Sequence, residues 1–527
     1  MPTHDSHAPA DTDPVETAGF SRRTFLATSG AVVAGMALAG LPTASAAAQE
    51  TSADDLVMLD ALDLSEAIRR RDVSCVEVME TYLAHIHRLN PEVNAIIGMA
   101  DDAELLDQAR ERDRQLQRGE YLGWMHGFPQ AIKDLADAER FPSTSGGSPV
   151  YADRIADSDS LFVARIKAAG GIVIGKTNAP EFGLGSQSYN PVWGTTGNAY
   201  APSRTSGGSS GGAASALGLR MLPVADGSDY MGSLRNPAAF NNVLGFRPSW
   251  GRVPANGFIA QASVTGPMGR TVRDVAALLS VMAGPSDAAA LDIEEDPAIF
   301  RAPLDRDFRG TRIAWVGDYN GHLATEPGIL ELCRGSFHAF ENLGATVEEV
   351  LPDQDMAALF ETFMAWRGLA QLDRYDLYND PATRAMLKPE QIWEVERALG
   401  LSALDINRAD DARNAWYATV LEMFETYDYI LAPSAQVFPF DKNVHWPTEI
   451  NGRAMDTYHR WMETVAPWSL TNLPNMGMPV GFNEAGLPAG IQLIGKDNAD
   501  LAVLQMAHAY EQETRWVSSV LPPLLQA

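Results

Sequence analysis

Three separated segments of this chain carry the groups best suited to chemistry. HGFPQAIKD places Lys133 at the end of an apolar, strand-like run. TSGGSSGG places Ser209 and Ser210 on a glycine-rich loop, and ADGSDYMGSLRNPAAF places Ser233 at a strand-to-helix junction, with Gly232 before it and Pro237 soon after. A serine hydroxyl is a poor nucleophile until a neighbouring group takes its proton. A lysine can take it only when neutral, so its proton affinity must fall far below the free value. The chain has 6 lysines against 34 arginines, which sharpens the question of why a lysine stands at Lys133. Arginine cannot give up its proton and lysine can.

Two other motifs compete for these residues. GGIVIGKT (Gly170–Thr177) matches the phosphate-binding pattern GxxxxGKT letter for letter. That pattern needs a flexible loop inside it and a helix after it. Here the loop positions hold Ile172, Val173 and Ile174, and Pro180 follows almost at once, which reads as a buried strand entering a turn. GGSSG and GSSGG both match the nucleophile elbow GxSxG, at Ser209 and Ser210. The elbow requires a strand running into it. What precedes is AYAPSRTSG, all turn, and none of His322, His338, His445, His459 or His508 has a distinctive setting for a histidine base.

The elements that must position these groups are partly legible. Ser74 and Glu77 form a capping box, after which Val76, Met79, Leu83 and Ile86 recur on one helical face. Asn90–Pro91 is expected to stop that helix, and a second spans about 101–118. From about 125 to 260, short apolar runs alternate with Gly/Ser/Pro loops and alanine-rich helices, an α/β texture. Ile172–Ile174 and Leu222–Ala225 read as buried strands, Arg312–Gly317 as another, and NLPNMGMPVGF with GIQLIG as two more. Gly284–Pro297 is an acidic, turn-rich link, and 355–425 reads as long amphipathic helices. Six of the eleven tryptophans lie between Trp366 and Trp468, where they either pack a core or line a pocket for an organic ligand.

Taken together, these segments resemble the amidase signature family. The resemblance runs from about residue 55 to the C-terminus. It includes GKTNAPEFGLGSQSYN, the 24-residue step between Ser209 and Ser233, GFRPSWGRVP and the closing GLPAGIQLIG. It implies one α/β domain over 47–527, a large mixed β-sheet core covered by α-helices on both faces. The catalytic core is expected at about 120–275 and a helical, substrate-lining region at about 355–470. It also implies a Ser–cisSer–Lys triad. Ser233 matches the nucleophile, Ser209 the bridging serine held by a cis Gly208–Ser209 bond, and Lys133 the base. Backbone N–H groups of Tyr230, Met231, Gly232 and Ser233 match the oxyanion hole. Ser210 supports the network, and Asp229 and Arg235 match structural residues around the hole. Met231 departs from the pattern, since the family has glycine there, which puts the local φ and the room beside the nucleophile in question. His126 is assigned to loop packing.

The resemblance implies hydrolysis of a C–N amide bond of a small organic amide through an acyl-serine, with no metal or organic cofactor. Primary amides, anilides, cyclic amides, carbamates, peptide amides and esters all fit that path. The rival readings are an esterase or carbamate hydrolase on the same triad, and a non-catalytic exported binding protein on a dead scaffold. The net charge of −28 argues against nucleic-acid binding. The two cysteines, Cys75 and Cys333, read as buried free thiols.

The N-terminus carries its own message. SRRTFL (Ser21–Leu26), a Gly/Ala-rich run to Leu41 and ASA at Ala44–Ala46 read as a twin-arginine export signal over 1–46, cleaved near Ala46–Ala47. The apolar run is short for a membrane span. The expected location is therefore periplasmic or secreted, with no stable membrane span, and a homodimer is compatible with this reading.

Overall fold

The structure is a computed structural model that describes residues 53–254 and 263–526. The expected export signal over 1–46 lies outside the described residues.

Among the described residues, fifteen strands form four sheets. A three-stranded sheet joins β1 (Ile96–Ile97), β2 (Pro129–Lys133) and β3 (Ile172–Thr177) in the order β1-β3-β2, with β2 and β3 parallel. Two small hairpins pair β4 (Tyr189–Asn190) with β5 (Gly194–Thr195), and β12 (Glu449–Ile450) with β13 (Arg453–Ala454). The main sheet has eight strands: β6 (Ala225–Asp229), β7 (Leu244–Arg247), β8 (Val264–Gly269), β9 (Arg312–Trp315), β10 (Thr346–Glu349), β11 (Tyr429–Pro433), β14 (Asn475–Phe482) and β15 (Pro488–Ile494). Their order is β10-β9-β11-β15-β14-β7-β8-β6. β10, β9 and β11 run parallel and the remaining pairs are antiparallel, so the sheet is mixed as expected.

Alternation along single strands shows why both faces of this sheet are apolar. Successive side chains of a strand point to opposite faces. On β9, Ile313 and Trp315 enter one buried cluster, while Ala314 and the following Val316 enter another. On β11, Tyr429 and Leu431 join the first cluster, and Ile430 and Ala432 the second. The second cluster is walled by the helices of the 355–470 region, including Phe360 and Phe363 of Met356–Gln371 and Trp416 of Ala403–Thr426. Trp416, Trp461 and Trp468 are buried in it, so these three tryptophans pack a core, whereas Trp393 is exposed.

Two boundaries differ from the sequence reading. The helix Cys75–Val93 begins at the expected Ser74–Glu77 capping box but runs through Pro91. Proline there removes one hydrogen bond in the last turn. The exit is set instead by Asn94 in the left-handed region, with the Asn90 side chain accepting from the N–H groups of Ala95 and Ile96 at 2.8 and 2.9 Å. The strand expected at Leu222–Ala225 begins only at Ala225. Pro223 cannot donate to a ladder, and pairing starts where Ala225 meets Met268 of β8. The strands at Ile172–Thr177, Arg312–Trp315, Asn475–Phe482 and Pro488–Ile494 lie where the sequence placed them. Both cysteines are buried and free. No described helix is long and apolar enough to cross a membrane.

Candidate active site

Lys133 closes β2, all five of whose residues are buried. Its ammonium Nζ donates to Ser209 Oγ at 2.8 Å, Ser210 Oγ at 2.8 Å and Ser228 Oγ at 2.9 Å, with the Ser228 carbonyl at 3.4 Å. Among the described residues, every group in hydrogen-bond contact with this ammonium is a neutral oxygen. Burial disfavours the charged form of a lysine. It lowers the Lys133 pKa to about 7, against the weaker opposing pull of Asp226 and then Asp229.

The glycine-serine loop is packed rather than flexible. Residues 205–218 are all buried. Gly207 takes φ +73°, the Gly208–Ser209 peptide bond is cis, and Ser210 stands at the N-cap position of the helix Gly211–Gly218. A Cβ on Gly208 would lie 2.6 Å from Gln187 N. One on Gly211 would lie 2.3 Å from Ser206 Oγ, and one on Gly212 would lie 2.4 Å from Asn178 N. These glycines leave room for the neighbouring backbone and serines to approach closely, which a linker would not need.

Ser233 lies in the turn between β6 and the helix Arg235–Asn241. Asp229 organises that turn. Its carboxylate accepts from Gly232 N at 2.9 Å, Leu234 N at 3.1 Å, Arg235 Nε at 2.9 Å and Arg235 Nη2 at 2.8 Å. Arg247 approaches it at 3.4 Å, and the side chains of Asp229, Arg235 and Arg247 are fully buried. Burial alone would raise the Asp229 pKa, but Arg235 and then Arg247 hold it well below the usual carboxylate range. Arg235 is further fixed by Gln492 Oε1 at 2.6 Å and Ser469 Oγ at 2.8 Å. These contacts make Asp229 and Arg235 the frame of the turn that carries Ser233.

The Ser233 loop and the serine loop meet where Ser210 N donates to the Ser233 carbonyl at 3.2 Å. No hydrogen bond joins the Ser209 and Ser233 hydroxyls among the described residues. The structure thus brings Lys133, Ser209 and Ser210 into direct contact and joins the Ser233 turn to them through the Ser210 N–H.

The four-donor oxyanion hole needs one correction. The Gly232 N–H is already bonded to Asp229 Oδ1, so it is not available to a developing oxyanion. Tyr230, Met231 and Ser233 N–H groups make no hydrogen bond among the described residues. Gly232 is required for other reasons: its φ is +81°, and a Cβ there would lie 2.9 Å from Val465 Cγ2. Met231 is outside the left-handed φ region, so its side chain brings no backbone penalty. It is buried in the second apolar cluster, which also holds Val465, Phe363 and Trp461.

Two residues at this site escaped the sequence reading. Ser228 stands in ADGSDYMGSLRNPAAF with no role assigned to it, yet its hydroxyl completes the box around Nζ. Asp226 accepts the Lys133 backbone N–H at 3.2 and 3.4 Å. The signal that could have found both is strand alternation, since Asp226 and Ser228 share one face of β6. His126 is buried away from the serines, with Nε2 at 2.9 Å from the Arg112 carbonyl and Nδ1 accepting from Leu122 N, as loop packing requires. Lys176 of the GKT sequence sits in β3, fully buried. It pairs with Asp134 at 3.4 Å and donates to the carbonyls of Ala136 and Pro142. It ties the central strand of the small sheet to the loop after β2 and cradles no phosphate loop.

Comparison with known proteins agrees with this geometry. Residues 77–504 match the sequence profile of the Amidase family. The chain is 32% identical over 470 residues to an acylamidase of Rhodococcus erythropolis, covering 88% of this chain and 97% of the relative. It is 32% identical over 479 residues to a glutamyl-tRNA(Gln) amidotransferase subunit of Methylococcus capsulatus, covering 86% of this chain and 96% of the relative. The crystal structure of a bacterial aryl acylamidase of the amidase signature family superposes with a TM-score of 0.80 at 27% identity, covering 87% of this chain and 97% of that one. Matching across so much of the chain, and with Lys133, Ser209 and Ser210 of its motifs in direct buried contact, this chain belongs to the amidase signature family.

Proposed function

We propose that this hydrolase of non-peptide C–N bonds attacks a small organic amide with the Ser233 hydroxyl. The observation that carries the reading is the Lys133 ammonium, buried among hydroxyls and 2.8 Å from Ser209, with a pKa of about 7. Neutral Lys133 takes a proton from Ser209, and Ser209 takes one from Ser233 as the latter turns toward it. Ser233 Oγ then bonds to the amide carbon. The carbonyl oxygen gains negative charge facing the N–H groups of Tyr230, Met231 and Ser233, donors fixed before the reaction. The proton returns through Ser209 to the leaving nitrogen, the C–N bond breaks, and an acyl-serine remains. Water activated by the same lysine–serine pair hydrolyses it, releasing the carboxylic acid. An ester follows the same path, with an alcohol as leaving group.

A fluorophosphonate probe tests the assignment. Labelling should map to Ser233, vanish in Ser233→Ala, and rise with pH through a midpoint at about 7 as Lys133 loses its proton. An adduct on another residue, or none, would remove Ser233 from this role. A panel of primary amides, anilides, cyclic amides, carbamates and esters then defines the acyl and leaving groups.

The acylamidase and the glutamyl-tRNA(Gln) amidotransferase relatives point to different substrates, a free acyl amide or a tRNA-linked glutamyl group. The leader SRRTFL favours the first, because tRNA and ATP are not found outside the cytoplasm. We infer export by the twin-arginine route to the periplasm or medium. Replacing Arg22 and Arg23 together with lysine should leave the enzyme in the cytoplasmic fraction, and unchanged export of that variant would refute the route.

A further inference from the structure

Asp226 has no part in the proton path above, yet its place in the fold is unusual. It lies in β6, 1% exposed, and its carboxylate accepts the Lys133 backbone N–H at 3.2 and 3.4 Å. It makes no ion pair among the described residues. Buried carboxylates are ordinarily paired or heavily hydrogen-bonded. The contrast with its neighbours is plain. Asp229 is held by two arginines and two backbone N–H groups. Asp134 pairs with Lys176 and accepts from Thr144 N, Gly146 N and the Thr144 hydroxyl.

We propose that Asp226 is a positioning residue that sets the pH at which Lys133 releases its proton. The proposal rests on the reading of Lys133 as the base. The charged and titratable groups around Lys133 can be taken element by element. The helix that starts at Gly211 and its loop present only the Ser209 and Ser210 hydroxyls. β3 presents Lys176, whose charge is taken up by Asp134 and two carbonyls. The loop after β2 presents Asp134, already paired. β6 presents Ser228, which is neutral, Asp229, whose charge Arg235 and Arg247 neutralise, and Asp226.

Asp226 is thus the stronger of the two acids acting on Lys133, and the one with no cation paired to it directly among the described residues. Burial pushes its pKa up to about 6, against the Lys133 N–H bond and the charges of Lys176 and Lys133. Its value lies below that of Lys133, so the carboxylate is chiefly ionised where the lysine titrates, near 7. A negative charge favours the ammonium form, so Asp226 opposes the downward push of burial. With burial unopposed, the amine would lose its proton at lower pH and become a weaker base. The same carboxylate fixes the strand end from which the side chain projects.

Asp226→Asn keeps an acceptor for the Lys133 N–H and removes the charge. The acid limb of kcat/KM against pH should move down by about one to two pH units, while the plateau stays within about tenfold. Asp226→Glu, which keeps the charge, should return the limb toward the parent value. A folded Asp226→Asn enzyme with an unmoved limb would overturn the proposal. Coupling is reciprocal, so a second measurement needs neither activity nor that variant. Carbon-13 NMR of the Asp226 carboxyl, in the parent and in Lys133→Met, should show its titration midpoint rising when the lysine charge is removed. An unchanged midpoint would overturn the proposal equally. Loss of Ser233 labelling in the parent enzyme would instead defeat the catalytic reading, leaving the measured coupling to stand apart from it.

Discussion

Lys133→Ala lowers amide turnover by about a thousandfold or more above neutral pH, chiefly in kcat, with the fold intact. The expectation follows from the box around Nζ. Ser209 and Ser210 both sit at 2.8 Å from the amine, and no histidine or carboxylate among the described residues stands in hydrogen-bond contact with it to replace it. Groups that act as one unit lose nearly the whole effect when one is removed. Stability should move in a direction that a purely structural lysine would not show. The folded pKa is about 7 and the free value 10.5. Between those limits the unfolded chain holds a proton that the native protein has lost, so the Lys133 contribution to stability improves as pH rises through that window. Below it, the native state holds a desolvated ammonium and carries the full penalty. Alanine removes the penalty, so the variant compares best with the parent at about pH 6 and worst at about pH 10. Kinetics and urea unfolding across pH check both statements. A variant retaining more than about a tenth of the parent kcat would sink the base assignment.

Asp229→Ala should destabilise the protein by about 3–5 kcal/mol and abolish activity together. The carboxylate is the shared acceptor of Gly232 N, Leu234 N and two Arg235 nitrogens. Its removal takes the ion-pair partner from Arg235, which is fully buried. Breaking one side of a buried pair costs far more than the pair itself contributes, because the remaining charge cannot reach water. The turn carrying Ser233 also loses the bonds that aim it. The pKa of Asp229 is held well below the ordinary range. Its contribution is therefore present above the unfolded carboxylate value, at about pH 4, and is lost only as pH falls through the lower folded value. Urea unfolding between about pH 6 and 8 should show the full loss at every pH. An unchanged midpoint would mean that the clamp does not hold the turn.

Local features are the ones legible from residue order. The capping box at Ser74 and Glu77 is a contact between neighbours in the chain, and it stands as read. The strand in GGIVIGKT is legible because three β-branched residues occupy positions a phosphate loop needs free. The stop expected at Pro91 falls too early, because a proline at a helix end tolerates one lost bond and the Asn90 side chain moves the exit onward. The strand expected from Leu222 starts later, because apolar character alone does not show where ladder pairing begins.

For the candidate site, residue type and position single out the segments that carry Lys133, Ser209, Ser210 and Ser233, and the family resemblance supplies their roles. Packing in three dimensions settles who touches whom. Lys133 meets Ser209 across 76 positions and Ser228 across 95, and Asp226 reaches the lysine backbone across 93. No local pattern encodes such pairings, because they depend on how the small sheet packs against β6. The same holds for the Gly232 N–H, counted into the oxyanion hole by the family resemblance and bonded instead to Asp229. A backbone donor can serve a substrate only if no buried acceptor has claimed it, and burial is a property of the packed molecule.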